Sequence, residues 1–298
     1  MMKKVPACQS TRAKSRPLPH ALSLRRRIAF AFLFCLLQFA AEICVGAQTA
    51  RRQGSPERAS LPDAPQPQAP TQDNVTLRGA PRDILRDQGT IWTSPARLHT
   101  RNLEWLAPLA LATGAAIATD HRAMTQVVSL NPDFNQANID ASNALIGLWL
   151  ATPAAVYGYG HFEQNDHARQ AGILTAEAML DGVVVEQGMK LIFWRERPGV
   201  DSSRGRFFQS SAGIDSTFPS SHSLIAWSAA STLAGETSSH WTQFALYSAA
   251  ASVSLTRVMG QQHFPSDVLV GSATGWLIGH YVSHRHHRHS LGEHGAHR

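Results

Sequence analysis

The chain has 298 residues, with 27 Lys and Arg against 21 Asp and Glu, a formal charge of +6. Its length and an apolar fraction of 43% allow one large domain or two modest ones, with enough apolar surface for a core. With only 16% charged residues it is no disordered polyelectrolyte, and the placing of the charge excludes a generally basic, nucleic-acid-binding protein. Eight of the basic residues precede Ile28, and no acidic residue occurs before Glu42.

The basic cluster Arg25-Arg26-Arg27 leads into an apolar run from Ile28 to Ala41, and small residues follow at Val45-Gly46-Ala47. This order predicts an export signal over residues 1–47 with cleavage after Ala47, or an uncleaved anchor of the same extent. Without those residues 19 basic side chains face 20 acidic ones, and Cys8, Cys35 and Cys44 are gone. An exported chain would then hold no disulfide, thiolate metal site or cysteine nucleophile. Residues 48–100 carry Pro56, Pro62, Pro65, Pro67, Pro70, Pro81 and Pro95 among polar neighbours, a composition that predicts an extended, disordered spacer.

From Leu103 the texture changes to Ala, Leu, Ile, Val and Gly runs, which predict helices at about 103–119, 141–160, 168–193, 222–235, 240–258 and 266–283. Asn131-Pro132-Asp133 breaks the first long connection, and Pro198, Gly199, Gly205 and Gly213 mark a loop after the third helix. The expected fold is all-α, a six-helix bundle core over residues 101–283. Residues 284–298 hold six of the 15 histidines and are expected to form a solvated, disordered tail.

Lys190 is the only lysine after residue 14, and six residues separate it from Arg197-Pro198. Downstream come Phe218-Pro219-Ser220-Ser221-His222 and then Arg257, His263 and Asp267. Each piece alone is weak, since a cation at a helix end is usually a solvated cap. Their order and spacing resemble the three-part signature of the superfamily of type 2 phosphatidic acid phosphatases, bacterial class A acid phosphatases and vanadium haloperoxidases. The match departs from the usual pattern at Ser221, in place of Gly, and at Thr256, in place of Ser.

The resemblance implies an acid phosphatase/haloperoxidase-like bundle acting as a phosphoric ester hydrolase with no metal or other cofactor. It implies that His263 is the nucleophile that forms a phosphohistidine, that Asp267 orients it, and that His222 is the general acid and then the base. It implies phosphate binding by Lys190, Arg197, Ser220, Ser221 and Arg257. Phosphoryl transfer does require such parts: positive charge on the equatorial oxygens, an in-line nucleophile and an acid on the leaving oxygen. The amides of Ser221 and His222, at the amino end of the fourth helix, would add a natural anion site.

Several residues admit two readings. Glu186, four residues before Lys190, is either an orienting partner or one half of an exposed pair. Arg195, Arg204 and Arg206 extend a positive rim or are merely solvated. Trp194, Phe207 and Phe208 line a substrate mouth or pack the loop, and packing is the better reading for Phe218. In residues 100–283 nine basic side chains face 14 acidic ones, and six of the nine lie between Lys190 and Arg257.

The expected partner is a phosphorylated lipid or a small phosphomonoester, not nucleic acid. One alternative is a vanadate-dependent haloperoxidase, with vanadate as its cofactor, and another is a non-catalytic envelope protein. Export of residues 48–102 followed by six membrane spans would turn the site towards the cytoplasm. Ser223 to Gly235 is only 13 residues, about 20 Å of helix against about 30 Å of hydrocarbon. A soluble or peripheral domain in the cell envelope or periplasm is therefore expected, with an integral inner-membrane protein as the alternative.

Overall fold

The computed structural model describes residues 75–209 and 215–295, with the backbone alone for 286–295. The proposed leader, residues 48–74 of the spacer and the last three residues lie outside this range. Among the described residues the fold is all-α, with seven helices and no strand: α1 Ala80–Thr93, α2 Leu103–Arg122, α3 Pro132–Phe162, α4 Asp166–Phe193, α5 Ser221–Gly235, α6 His240–Met259 and α7 Pro265–Gly295.

Helix α1 falls inside the segment expected to be extended. Pro81 opens it and Pro95 lies in the 3-10 turn Ser94–Arg97 beyond it, so two residues that read as spacer composition are its start and stop signals. Ile84, Asp87, Gln88 and Ile91 share its inward face at helical spacing, and Ile91 packs against the cluster of Leu174, Val185, Ile278 and Val282. Helix α3 begins nine residues before the expected start at 141. Asn131, which reads as a break, is its cap: the Asn131 side-chain oxygen accepts from the amides of Asp133 and Phe134, and Pro132 occupies the first turn. Helix α7 continues past 283 into the expected tail, and its Arg285 is bonded to Asp87 and Glu177.

Helix α5 is the hub. Leu224, Ala226, Ala229, Ala230 and Leu233 are fully buried, and α4, α6 and α7 surround it. Gly275 and Gly279 let α7 approach α5 closely, because a Cβ at either would overlap the carbonyl oxygens of Leu224 and Ser228. That contact continues to Ser220, whose amide donates to the Asp267 carbonyl at 3.1 Å. The carboxyl ends of α2, α4 and α6 thus meet the amino ends of α5 and α7 at one end of the bundle. Cations are favoured at the former and anions at the latter.

Candidate active site

At the end of α4, the Lys190 ammonium lies 2.7 Å from Glu186 Oε1 and donates to Ser221 Oγ at 3.1 Å. Ser221 Oγ donates in turn to the same Glu186 oxygen at 2.5 Å. The pair is buried rather than exposed, which decides between the two readings of Glu186. The Ser221 hydroxyl, present where the signature usually has no side chain, closes this triangle and holds the lysine. Thr256 instead bonds back to its own helix, at the carbonyls of Ser252 and Val253.

Ser220 occupies the N-cap position of α5 without a side-chain capping bond, leaving the amides of Ser221 and His222 in its first turn, where no intrahelical acceptor exists. His222 Nε2 lies 3.3 Å from Asn143 Oδ1 on α3. Burial drives the His222 imidazole down to about 3, and the charges of Arg257, His263, Lys190 and Arg197 push the same way. The four groups that the motifs place far apart in sequence therefore bear on one imidazole.

Arg257 is buried at the end of α6. It donates to Ser142 Oγ at 3.3 Å, while its Nε is buried with no hydrogen-bond partner. Burial first, and Arg197 second, lower this guanidinium to about 10. Arg197 donates through Nε to the Asp215 carbonyl at 3.0 Å. A guanidinium with an open donor, beside a second one, needs an anion with several acceptor oxygens.

His263 is buried, and its contacts all fall on Nδ1: the Thr217 carbonyl at 2.9 Å, Thr217 Oγ1 at 3.0 Å and Asp267 Oδ2 at 3.7 Å. A carbonyl can only accept, so Nδ1 carries the proton and Nε2 keeps its lone pair. Asp267 therefore reaches the imidazole indirectly, since 3.7 Å exceeds a hydrogen bond. Thr217 Oγ1 donates to Asp267 Oδ2 at 2.8 Å and links the two. Burial lowers the His263 pKa, opposed by Asp267.

Asp267 is itself held by Arg195, whose NH1 donates to Oδ1 at 2.6 Å. In the sequence Arg195 reads as a rim cation or a solvated loop residue, yet it is only 1% exposed. It also bonds Asp120 Oδ2 at 2.7 Å and the Gly205 carbonyl at 3.0 Å, and lies over the rings of Phe207 and Phe264. Arg204 and Arg206 do not extend the site either: both pair with Asp201, and Arg206 also with Glu196. Phe218 is buried and packs edge-on against the half-buried Phe193 and Phe207, whereas Trp194 and Phe208 stay exposed.

The structure thus gathers Lys190, Arg197, Ser220, Ser221, His222, Arg257, His263 and Asp267 at one end of the bundle. It adds Thr217, Arg195, Asp120, Ser142 and Asn143, which no motif spacing marks.

Residues 171–290 match the family model of the PAP2 superfamily. This part of the chain is similar to the PAP2 superfamily. No curated protein and no solved structure matches the chain. That match supports a phosphatase-type hydrolase in general. The matched residues hold every motif side chain, while Asp120, Ser142 and Asn143 come from α2 and α3, ahead of the matched segment. Helix α3, Pro132–Phe162, is long and apolar enough to cross a membrane.

Proposed function

We propose that this PAP2-like domain hydrolyses phosphomonoesters without a metal, through a phosphohistidine at His263. The observation that carries this reading is the fixed tautomer of His263, with Nδ1–H on the Thr217 carbonyl and Nε2 left as nucleophile. Nε2 attacks phosphorus as the bond to the alcohol oxygen breaks. The imidazolium so formed keeps its Nδ1 proton, and Asp267, 3.7 Å away, balances its charge. His222, protonated once the phosphoryl group offsets the surrounding cations, gives its proton to the leaving oxygen. It then takes a proton from water as that water attacks phosphorus, the P–N bond breaks and phosphate leaves. Lys190, Arg197, Arg257 and the first amides of α5 hold the equatorial oxygens.

The substrate best suited is a phosphate ester of an apolar alcohol. An apolar groove of about 780 Å³ is lined by Val258 and Pro265, which adjoin motif residues in sequence, and by Trp105, Leu109, Leu269 and Trp276. The leader composition supports export, with the domain acting peripherally in the cell envelope. The test is His263→Ala in purified protein, assayed on a lipid phosphate in detergent and on a soluble aryl phosphate. We expect a loss of about a thousandfold or more on both. Near-wild-type turnover would remove the phosphohistidine, and faster wild-type hydrolysis of the soluble ester would remove the lipid assignment.

A further inference from the structure

A second group of ionisable residues lies well away from the site. Asp87 of α1, Glu177 and Asp181 of α4, and Arg285 of α7 meet in the interior, where the three acids are at most 1% exposed. One oxygen of each carboxylate lies within 4.8 Å of the others. Asp87 Oδ1 accepts from Tyr281 at 3.1 Å and from Arg285, Glu177 Oε1 accepts from Arg285 at 2.6 Å, and Asp181 Oδ1 accepts from Gln88 at 2.8 Å. The other oxygen of each, Asp87 Oδ2, Glu177 Oε2 and Asp181 Oδ2, is buried with no hydrogen-bond partner.

Three buried carboxylates beside one guanidinium carry a formal charge of −2, and three unpartnered buried oxygens need a partner that is not an anion. We propose that Asp87, Glu177 and Asp181 bind one hard divalent cation of the Mg²⁺, Ca²⁺ or Mn²⁺ class. Such an ion cancels the remaining charge, takes an all-oxygen ligand set and accepts one oxygen from each side chain. Without it, burial pushes Glu177 up to about 8 and Asp181 to about 7, so protons would have to cancel the same charge. Glu177 and Asp181 are one turn apart on α4, and Asp181 stands nine residues from Lys190, about 13 Å along the helix. The ion is thus structural. It fastens α1, which precedes the PAP2 segment, to a helix within it.

The test uses the full chain stripped with EDTA and then titrated with Ca²⁺, Mg²⁺ and Mn²⁺, by calorimetry and thermal scans. The expected result is one ion per chain, a raised Tm, and at least tenfold weaker binding in Asp181→Asn and in Glu177→Gln. Phosphatase turnover of the stripped enzyme, below its Tm, should stay within twofold of the loaded enzyme. These cations bind poorly to imidazole, so the His-rich end does not imitate the site. No heat and no Tm change with any of the three would overturn the proposal and leave protons as the counter-charge. Undiminished binding in both variants would overturn it too, by placing the ion elsewhere. The wild-type titration decides the matter even if a variant folds poorly.

Discussion

Helix α4 carries two buried polar centres of opposite sign. At its carboxyl end Lys190 joins Arg197 and Arg257, and the unpartnered atom there is a donor, Arg257 Nε. Two and more turns earlier Glu177 and Asp181 join Asp87, and the unpartnered atoms are carboxylate oxygens. Each centre leaves open the valence that its ligand would fill: an anion with acceptor oxygens in the first, a cation in the second. The difference lies in what surrounds them. The cationic end has the loop after α4 beside it, and α6 and α7, which end and begin there, also line the apolar groove, an arrangement suited to a ligand that comes and goes. The acidic centre is closed by α1 and α7, suited to one that stays.

The largest effect that would break this contrast is expected at Arg257. Met in its place keeps the side-chain length and removes a buried guanidinium that lacks a full set of acceptors. We expect kcat/KM to fall by about 10²–10³, as for loss of one oxyanion donor. The same change should raise Tm by about 2–4 °C, since an uncompensated buried charge is relieved. A fall in both quantities would mean that Arg257 is a structural cation, and the two centres would no longer be opposites.

The fold class and the eight motif positions are legible in the sequence because each depends on local pattern. Apolar texture marks α2 to α7, and the motif residues cluster at helix ends. Helix α1 was hidden by composition averaged over 50 residues, although Pro81 and Pro95 bracket an inward face at Ile84, Asp87, Gln88 and Ile91. The role of Arg195 was not legible, because its charge is settled by Asp120, 75 residues away, and by Asp267, 72 residues away. Thr217 was not either. Its part depends on the loop after α4 folding back so that one carbonyl and one hydroxyl meet His263, and nothing in the order of residues announces that.

Thr217→Val tests that missing link with a smaller expected effect. The backbone carbonyl still fixes the His263 tautomer, so the nucleophile remains. What goes is the hydroxyl between Asp267 and Nδ1. We expect kcat to fall about tenfold with KM within twofold, in line with loss of an orienting group. A KM change alone would assign Thr217 to substrate binding, and no change would leave Asp267 acting through space. Thr217→Ser should restore most of the rate.

The smallest expected effect concerns a proton, and it bears on the cationic centre alone. In the free site His222 is held down to about 3 by burial and by neighbouring cations, so it is neutral at any working pH. A dianion bound between Arg257, Arg197 and Lys190 offsets those cations and raises the imidazole. A group that is neutral when free and protonated when bound takes up a proton on binding, so affinity must rise as pH falls. Sulfate is the clean probe, since it stays dianionic from pH 4 to 8 and any proton taken up belongs to the protein. Calorimetry in two buffers of different ionisation enthalpy reads the uptake directly. We expect a fraction of a proton per sulfate near pH 6, with affinity changing by less than tenfold per pH unit, and no uptake in His222→Gln. Uptake that survives in His222→Gln would move the proton to His263, and with it the assignment of acid and nucleophile.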